Sequence, residues 1–204
     1  MSDIVEKMRQ EIISRSDRFE ELTQGTKDEY NLYREHVQYV YKYAVMLSKD
    51  AAVDREVLEL SALLHDISMT DSSLDRSRHN EFSSVMAEQL LREQYYPEDK
   101  IQLVAKCILN HSSKRARYRT TEEENLLVNA DGLAHFDAYA SLYSLAHKVM
   151  GLNDKESLRF IQDKLTRDYA EISDELKYLV NDTYRLVMEA KTIREILDTS
   201  EADQ

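Results

Sequence analysis

The chain has 204 residues, 42% of them apolar, with 3 Gly, 1 Pro and a formal net charge of −12 from 27 Lys+Arg against 39 Asp+Glu. So few turn-forming residues exclude a strand-rich sandwich or barrel, a collagen-like chain and a Pro-rich linker protein, and the acidity excludes general adhesion to nucleic acid or anionic lipid. The single cysteine, Cys107, excludes a disulfide framework and a cysteine-rich zinc module and fits a reducing compartment.

Against about 100 to 200 residues per domain, the length suggests one all-α domain over 1–204. Apolar residues recur at three-to-four spacing from Ile4 through Met8 and Ile12 to Phe19 and Leu22, predicting a first helix that Gly25 stops. Asp28 is expected to cap a second helix with Tyr30, Tyr33, Val37, Val40, Ala44 and Leu47 inward, and Asp54 a third through Val57, Leu60 and Leu64 that ends at His65-Asp66. A polar segment from Ser68 to Ser77 precedes a fourth helix from His79 to Tyr95, which Pro97 separates from a fifth that stops at His111. Thr121 and Glu124 form a capping-box pattern for one long helix that Gly151 closes, and two amphipathic helices are expected over 153–198, with a frayed charged tail from Thr199 to Gln204. The opening residues lack an apolar run and no uncharged stretch of about 18 residues follows. The expectation is a soluble, cytoplasmic protein without a membrane partner. The 13 tyrosines outnumber the 4 phenylalanines and read as packing residues with wet hydroxyls rather than a base-stacking surface.

Three scattered glycines cannot build a phosphate loop, and the chain has no HExxH, no paired CxxC and no GxSxG. Histidine and aspartate carry what chemistry remains. His36, the adjacent pair His65-Asp66, His79, His111 and Asp131 form an ordered series. At neutral pH imidazole nitrogens are largely unprotonated and carboxylates ionised, so these are ready ligands for a divalent metal. Asp131 falls within the apolar run Leu126 to Ala134, where an uncompensated carboxylate is costly and an inward-facing acid wants a cation.

These stretches, HVQYVYKYA at 36–44, LSALLHDI at 60–67, RHNEFSSVMAEQLL at 78–91, AKCILNHSS at 105–113 and LLVNADGLAHF at 126–136, resemble the HD-domain superfamily of metal-dependent phosphohydrolases. The resemblance covers about 28–150, implying a metal-binding core there and C-terminal helices over 151–198 that complete the bundle. It implies that His36, His65, Asp66 and Asp131 hold one metal, and that His79 and His111 hold a second that Asp66 bridges. Imidazole and carboxylate donors without thiolate suit Mn, Fe, Co, Ni or Zn and do not choose among them.

The implied reaction is hydrolysis of a phosphate ester or anhydride, with a nucleotide or related small phosphorylated molecule as substrate. Asp66 and Asp71 are the candidate catalytic carboxylates. An anionic substrate needs a local reversal of charge, and Arg76 and Arg78 before His79, with Lys114, Arg115, Arg117 and Arg119 after His111, are the candidates. His135, four residues past Asp131, is expected either to support a metal ligand from behind or to line the pocket. Cys107 reads as a buried, inert thiol. Two other readings stand beside this one: a di-iron oxygenase, since some relatives use a similar six-ligand set on dioxygen, and a metal-binding module without turnover.

Overall fold

A computed structural model describes residues 2–49 and 51–200, and side chains as far as 196. The described residues are all helix and turn, with no strand. Helix α1 spans Asp3–Thr23 and ends as expected before Gly25, whose φ of 73° is the left-handed conformation that glycine adopts freely. A π-helical turn, Tyr33–Val37, runs directly into α2, Gln38–Leu47. Its cap is not Asp28. Asn31 Oδ1 accepts from Arg34 N at 3.0 Å, and Asp28 instead lies 3.9 Å from Arg76.

Helix α3, Arg55–Leu64, is capped by Asp54, which accepts from Glu56 N and Val57 N. Every residue from Val57 to Leu64 is buried, the signature of a helix packed on all sides. Val57, Leu60, Leu63 and Leu64 join one apolar cluster with α1 residues Val5, Met8 and Ile12 and with Leu91, Ile101 and Val104. Leu58 and Ala62 join a second cluster with Val40, Ala44, Leu127, Leu133, Leu158 and Ile161. The last turn of α3 therefore delivers His65-Asp66 to the seam between two cores.

Short 3-10 turns at Ile67–Thr70 and Arg76–Arg78 lead into α4, His79–Glu93, and α5 covers Glu98–Asn110. After a 3-10 turn at Ser113–Tyr118, α6 spans Glu122–Asp137 behind the expected capping box of Thr121 and Glu124. The single long helix expected up to Gly151 is broken. Ala138, at φ −107° and ψ 25°, ends α6, and α7 (Tyr139–Ser144) and a π-helical turn (Leu145–Val149) follow before Gly151 at φ 70°. The two C-terminal helices expected are three: α8 (Asp154–Glu171), α9 (Asn181–Glu189) and α10 (Ile193–Ser200), with a 3-10 turn at Asp174–Leu179. Of the tail, Thr199 and Ser200 close α10, and 201–204 lie outside the described residues.

Gly132 in α6 has a packing reason. A Cβ there would sit 3.1 Å from Ile172 Cγ1, so glycine lets the end of α8 approach the helix that carries Asp131. Among the described residues no helix is long and apolar enough to cross a membrane. Cys107 is buried in α5 and burial pushes its thiol up to about 12, which makes it inert as a nucleophile.

Candidate metal centre

Six side chains from five places in the chain meet where the two cores adjoin. His36 comes from the π-helical turn before α2, His65 and Asp66 from the end of α3, His79 from the start of α4, His111 from the end of α5 and Asp131 from the middle of α6. They form two groups whose donor atoms all lie within 4.8 Å of one another: His36, His65 and Asp131, and Asp66, His79 and His111.

The hydrogen bonds fix which nitrogen each ring offers. His65 Nδ1 donates to Ala62 O at 2.9 Å, His79 Nδ1 to Arg76 O at 3.0 Å and His111 Nδ1 to Ile108 O at 2.6 Å. A carbonyl only accepts, so each Nδ1 carries the proton, and in the neutral ring Nε2 is a bare lone pair aimed into the site. His79 Nε2 and His111 Nε2, both bare lone pairs in the neutral rings, face each other at 3.2 Å, and the His65 lone pair faces His36 Nε2 at 3.0 Å. Such pairs repel unless a cation is shared. Nitrogens at about 2.1 Å from one ion lie about 3.0 to 3.4 Å apart at octahedral to tetrahedral angles.

Asp66 stands between the groups. Its Oδ2 is 3.6 Å from His65 Nε2 and 3.9 Å from His36 Nε2, and its Oδ1 is 3.6 Å from His79 Nε2 and 3.7 Å from His111 Nε2. One carboxylate oxygen thus faces each group. Asp131 Oδ1 lies 3.1 Å from His36 Nε2 and 3.7 Å from His65 Nε2. Both Asp66 Oδ1 and Asp131 Oδ1 are buried without a hydrogen-bond partner, a costly state for a carboxylate oxygen that a metal ion relieves. The donors therefore fit one or two divalent cations.

Electrostatics support the same assignment of protons. Burial alone would raise the carboxyl of Asp66, but the surrounding rings of His65, His79, His111 and His36 outweigh it and hold it below the usual carboxylate range. Asp131 is held down in the same way, chiefly by His135 and His36 against burial. Burial lowers His111 to about 4 and lowers His135 too, with the Lys164 charge acting in the same direction. His36 is raised because the Asp131 carboxylate outweighs the burial that opposes it. Ionised Asp66 and Asp131 thus stand beside His111 and His135, whose protonation burial disfavours, and ionised carboxylates with neutral imidazoles are what metal binding requires.

A cavity of about 160 Å3 reaches the centre past His79, His111 and Asp131, and its other wall is α8: Lys164, Arg167, Asp168 and Glu171. His135 does not line this cavity; it is stacked on His36 with ring centroids 4.7 Å apart and lies 3.3 Å from Asp168 Oδ2. A smaller recess of about 90 Å3 meets His36, Asp66 and His135 from the other side and includes Arg76 and Tyr30.

The other sequence candidates are placed elsewhere. Asp71 accepts from Ser73 N and Ser73 Oγ and lines a separate surface recess with Arg15 and Arg18, because an aspartate at a turn bonds the backbone two residues on. Arg78 pairs with Glu81 at 2.5 Å and lies over the Phe82 ring. Arg115 donates to Asn110 Oδ1, Arg117 to the Tyr118 hydroxyl, and both guanidinium groups pack on the Tyr118 ring. Lys114 is exposed, and none of the three lines the cavity. Arg119 is spent as a clasp on the carbonyls of Asn110, His111 and Ser112 and on Glu171.

The α8 wall is what the sequence reading missed. Lys164 and Asp168 form an i,i+4 pair that reads as ordinary surface charge, and only the glycine beside Asp131 hinted that another helix comes close.

The HD domain family model matches residues 33–141, more than half of the chain and all six clustered side chains. The chain belongs to the HD domain family. HD domains bind divalent metals, and the family is largely one of metal-dependent phosphohydrolases. Comparison with curated proteins and with solved structures found no match.

Proposed function

We propose that this HD domain protein is a metal-dependent phosphohydrolase that cleaves a phosphate ester or anhydride of a nucleotide or related small molecule. The observation that carries the reading is Asp66, with one oxygen toward His36 and His65 and the other toward His79 and His111. In this reading His36, His65 and Asp131 would hold one ion and His79 and His111 a second, with Asp66 available to both. Bound there, divalent ions lower the pKa of a coordinated water toward neutrality and polarise a phosphoryl oxygen.

The chain's own residues prepare that chemistry. The backbone carbonyls of Ala62, Arg76 and Ile108 fix three rings in one tautomer and orientation, so no reorganisation is needed when the site is used. Asp131 keeps its carboxylate beside His36, and the stacked His135 separates it from the cation of Lys164, whose Nζ is 3.4 Å from His135 Nδ1.

The test is elemental analysis of protein purified without chelator, paired with phosphate release from a panel of nucleoside mono-, di- and triphosphates and simple monoesters. Metal-dependent phosphate release is expected. Bound iron with oxygen consumption and no phosphate release would replace the reading with the oxygenase alternative, and bound metal with neither activity would replace it with a binding module.

A further inference from the structure

Helix α8 lies beyond residue 141, where the family match ends, yet it supplies one wall of the cavity that leads to the metal centre. Four charged side chains project from it within two turns: Lys164, Arg167, Asp168 and Glu171. Three of them are engaged. Lys164 Nζ lies 2.7 Å from Asp168 Oδ1, Asp168 Oδ2 faces His135 Nδ1 at 3.3 Å, and Glu171 takes Arg119 at 3.2 Å. Among the described residues Arg167 alone on this wall has no ion-pair partner, and it is exposed at the cavity mouth. Lys164 Nζ is held by Asp168 and lies 3.4 Å from His135 Nδ1, and Lys164 lines the cavity.

Resting on the phosphohydrolase reading, we propose that α8 is the substrate-reading element of this protein: Lys164 and Arg167 grip a single dianionic phosphoryl group against the His79 and His111 side of the cavity, which selects a phosphomonoester over a polyphosphate. Size and charge both set that limit. At about 160 Å3 the cavity is smaller than the roughly 300 to 1,000 Å3 that enclose a drug-sized ligand. It takes a phosphoryl group and leaves the organic part outside, past Ser112 and Ser113. The α8 wall carries two cations and two carboxylates, so it has no positive excess for a second or third phosphate. Asp168 and Glu171 would repel one. Arg167, with its planar fork free, is suited to two oxygens of one phosphoryl group.

The probe is inorganic phosphate, titrated calorimetrically into the metal-loaded protein and compared with pyrophosphate. Wild type is expected to bind phosphate at least as tightly as pyrophosphate. Arg167→Gln and Lys164→Gln should each weaken phosphate binding roughly tenfold, the low end for a charge-assisted hydrogen bond, with metal content unchanged. Arg167→Lys should recover part of the loss, and Arg159→Gln, exposed two turns earlier on the same helix, should change nothing. Arg167 is exposed, so its variant folds whatever happens at Lys164. Unchanged phosphate affinity in both variants, or tighter binding of pyrophosphate, overturns the proposal while leaving phosphate release from esters to support the hydrolase reading. Phosphate binding that depends on Arg167, in a protein that hydrolyses no ester, supports the α8 site and removes the hydrolase reading instead.

Discussion

The two halves of the ligand shell differ in how the fold holds them. His36 and Asp131 come from within helical segments and His65 from the cap of α3, and the His65 side chain is fully buried. Asp66, His79 and His111 sit just past a helix, at the first residue of one and at the cap of another, and the His79 side chain is 29% exposed. Residues at helix ends have more local freedom than residues inside helices. The comparison teaches that the first group is the more firmly held seat and the second the less firmly held, with Asp66 facing both.

The largest effect should follow from breaking what the two halves share. Asp66→Ala is expected to remove both ions and to lower activity by more than about 100-fold, beyond the loss typical of an outer partner of a metal ligand, while circular dichroism still reports a helical fold. Near-normal turnover in that variant would show that the two groups do not act through one carboxylate.

A smaller effect concerns the side of the centre that α8 covers. Burial pushes Asp168 up to about 6, against the opposing charge of Lys164. The unfolded carboxyl titrates near 3.9. Between about pH 4 and 6 the folded state keeps a proton that the unfolded state has released, so this residue's contribution to stability declines as pH rises through that window and stays low above it. Asp168→Asn should therefore gain in Tm relative to wild type as pH goes from 4 to 6, and the gap should level off above 6. Parallel Tm profiles would mean that Asp168 is not buried in this way.

The smallest effect is expected in the basic 3-10 turn. Arg115 and Arg117 are engaged with Asn110 and Tyr118 and do not line the cavity. Replacing both by Ala should leave KM for a phosphate ester within about twofold and metal content unchanged, as for surface substitutions remote from a site. A large rise in KM would return substrate binding to this turn.

Local chemistry was legible in the sequence and distant packing was not. The cap at Asp54, the capping box of Thr121 and Glu124, and the placement of His65-Asp66 at a helix end each depend on residues within one turn. The break at Ala138 has no Gly or Pro to announce it, and Asp28 lost the cap to Asn31 three residues later. Among candidate site residues, the six metal-ligand candidates and His135 were named from their order and now stand together. The basic residues were named for adjacency in sequence to His79 and His111, but a 3-10 turn directs Arg115 and Arg117 onto Tyr118 instead. Lys164 and Asp168 meet His135 across about thirty residues, a contact that no local pattern encodes.

Metal content per chain, measured side by side for wild type, His79→Ala and His111→Ala, tests the central claim most directly. The two-seat arrangement predicts two equivalents in wild type and one in each variant, since the more firmly held group of His36, His65 and Asp131 keeps its ion while the other group loses its own. A metal count that is the same in all three proteins would contradict it.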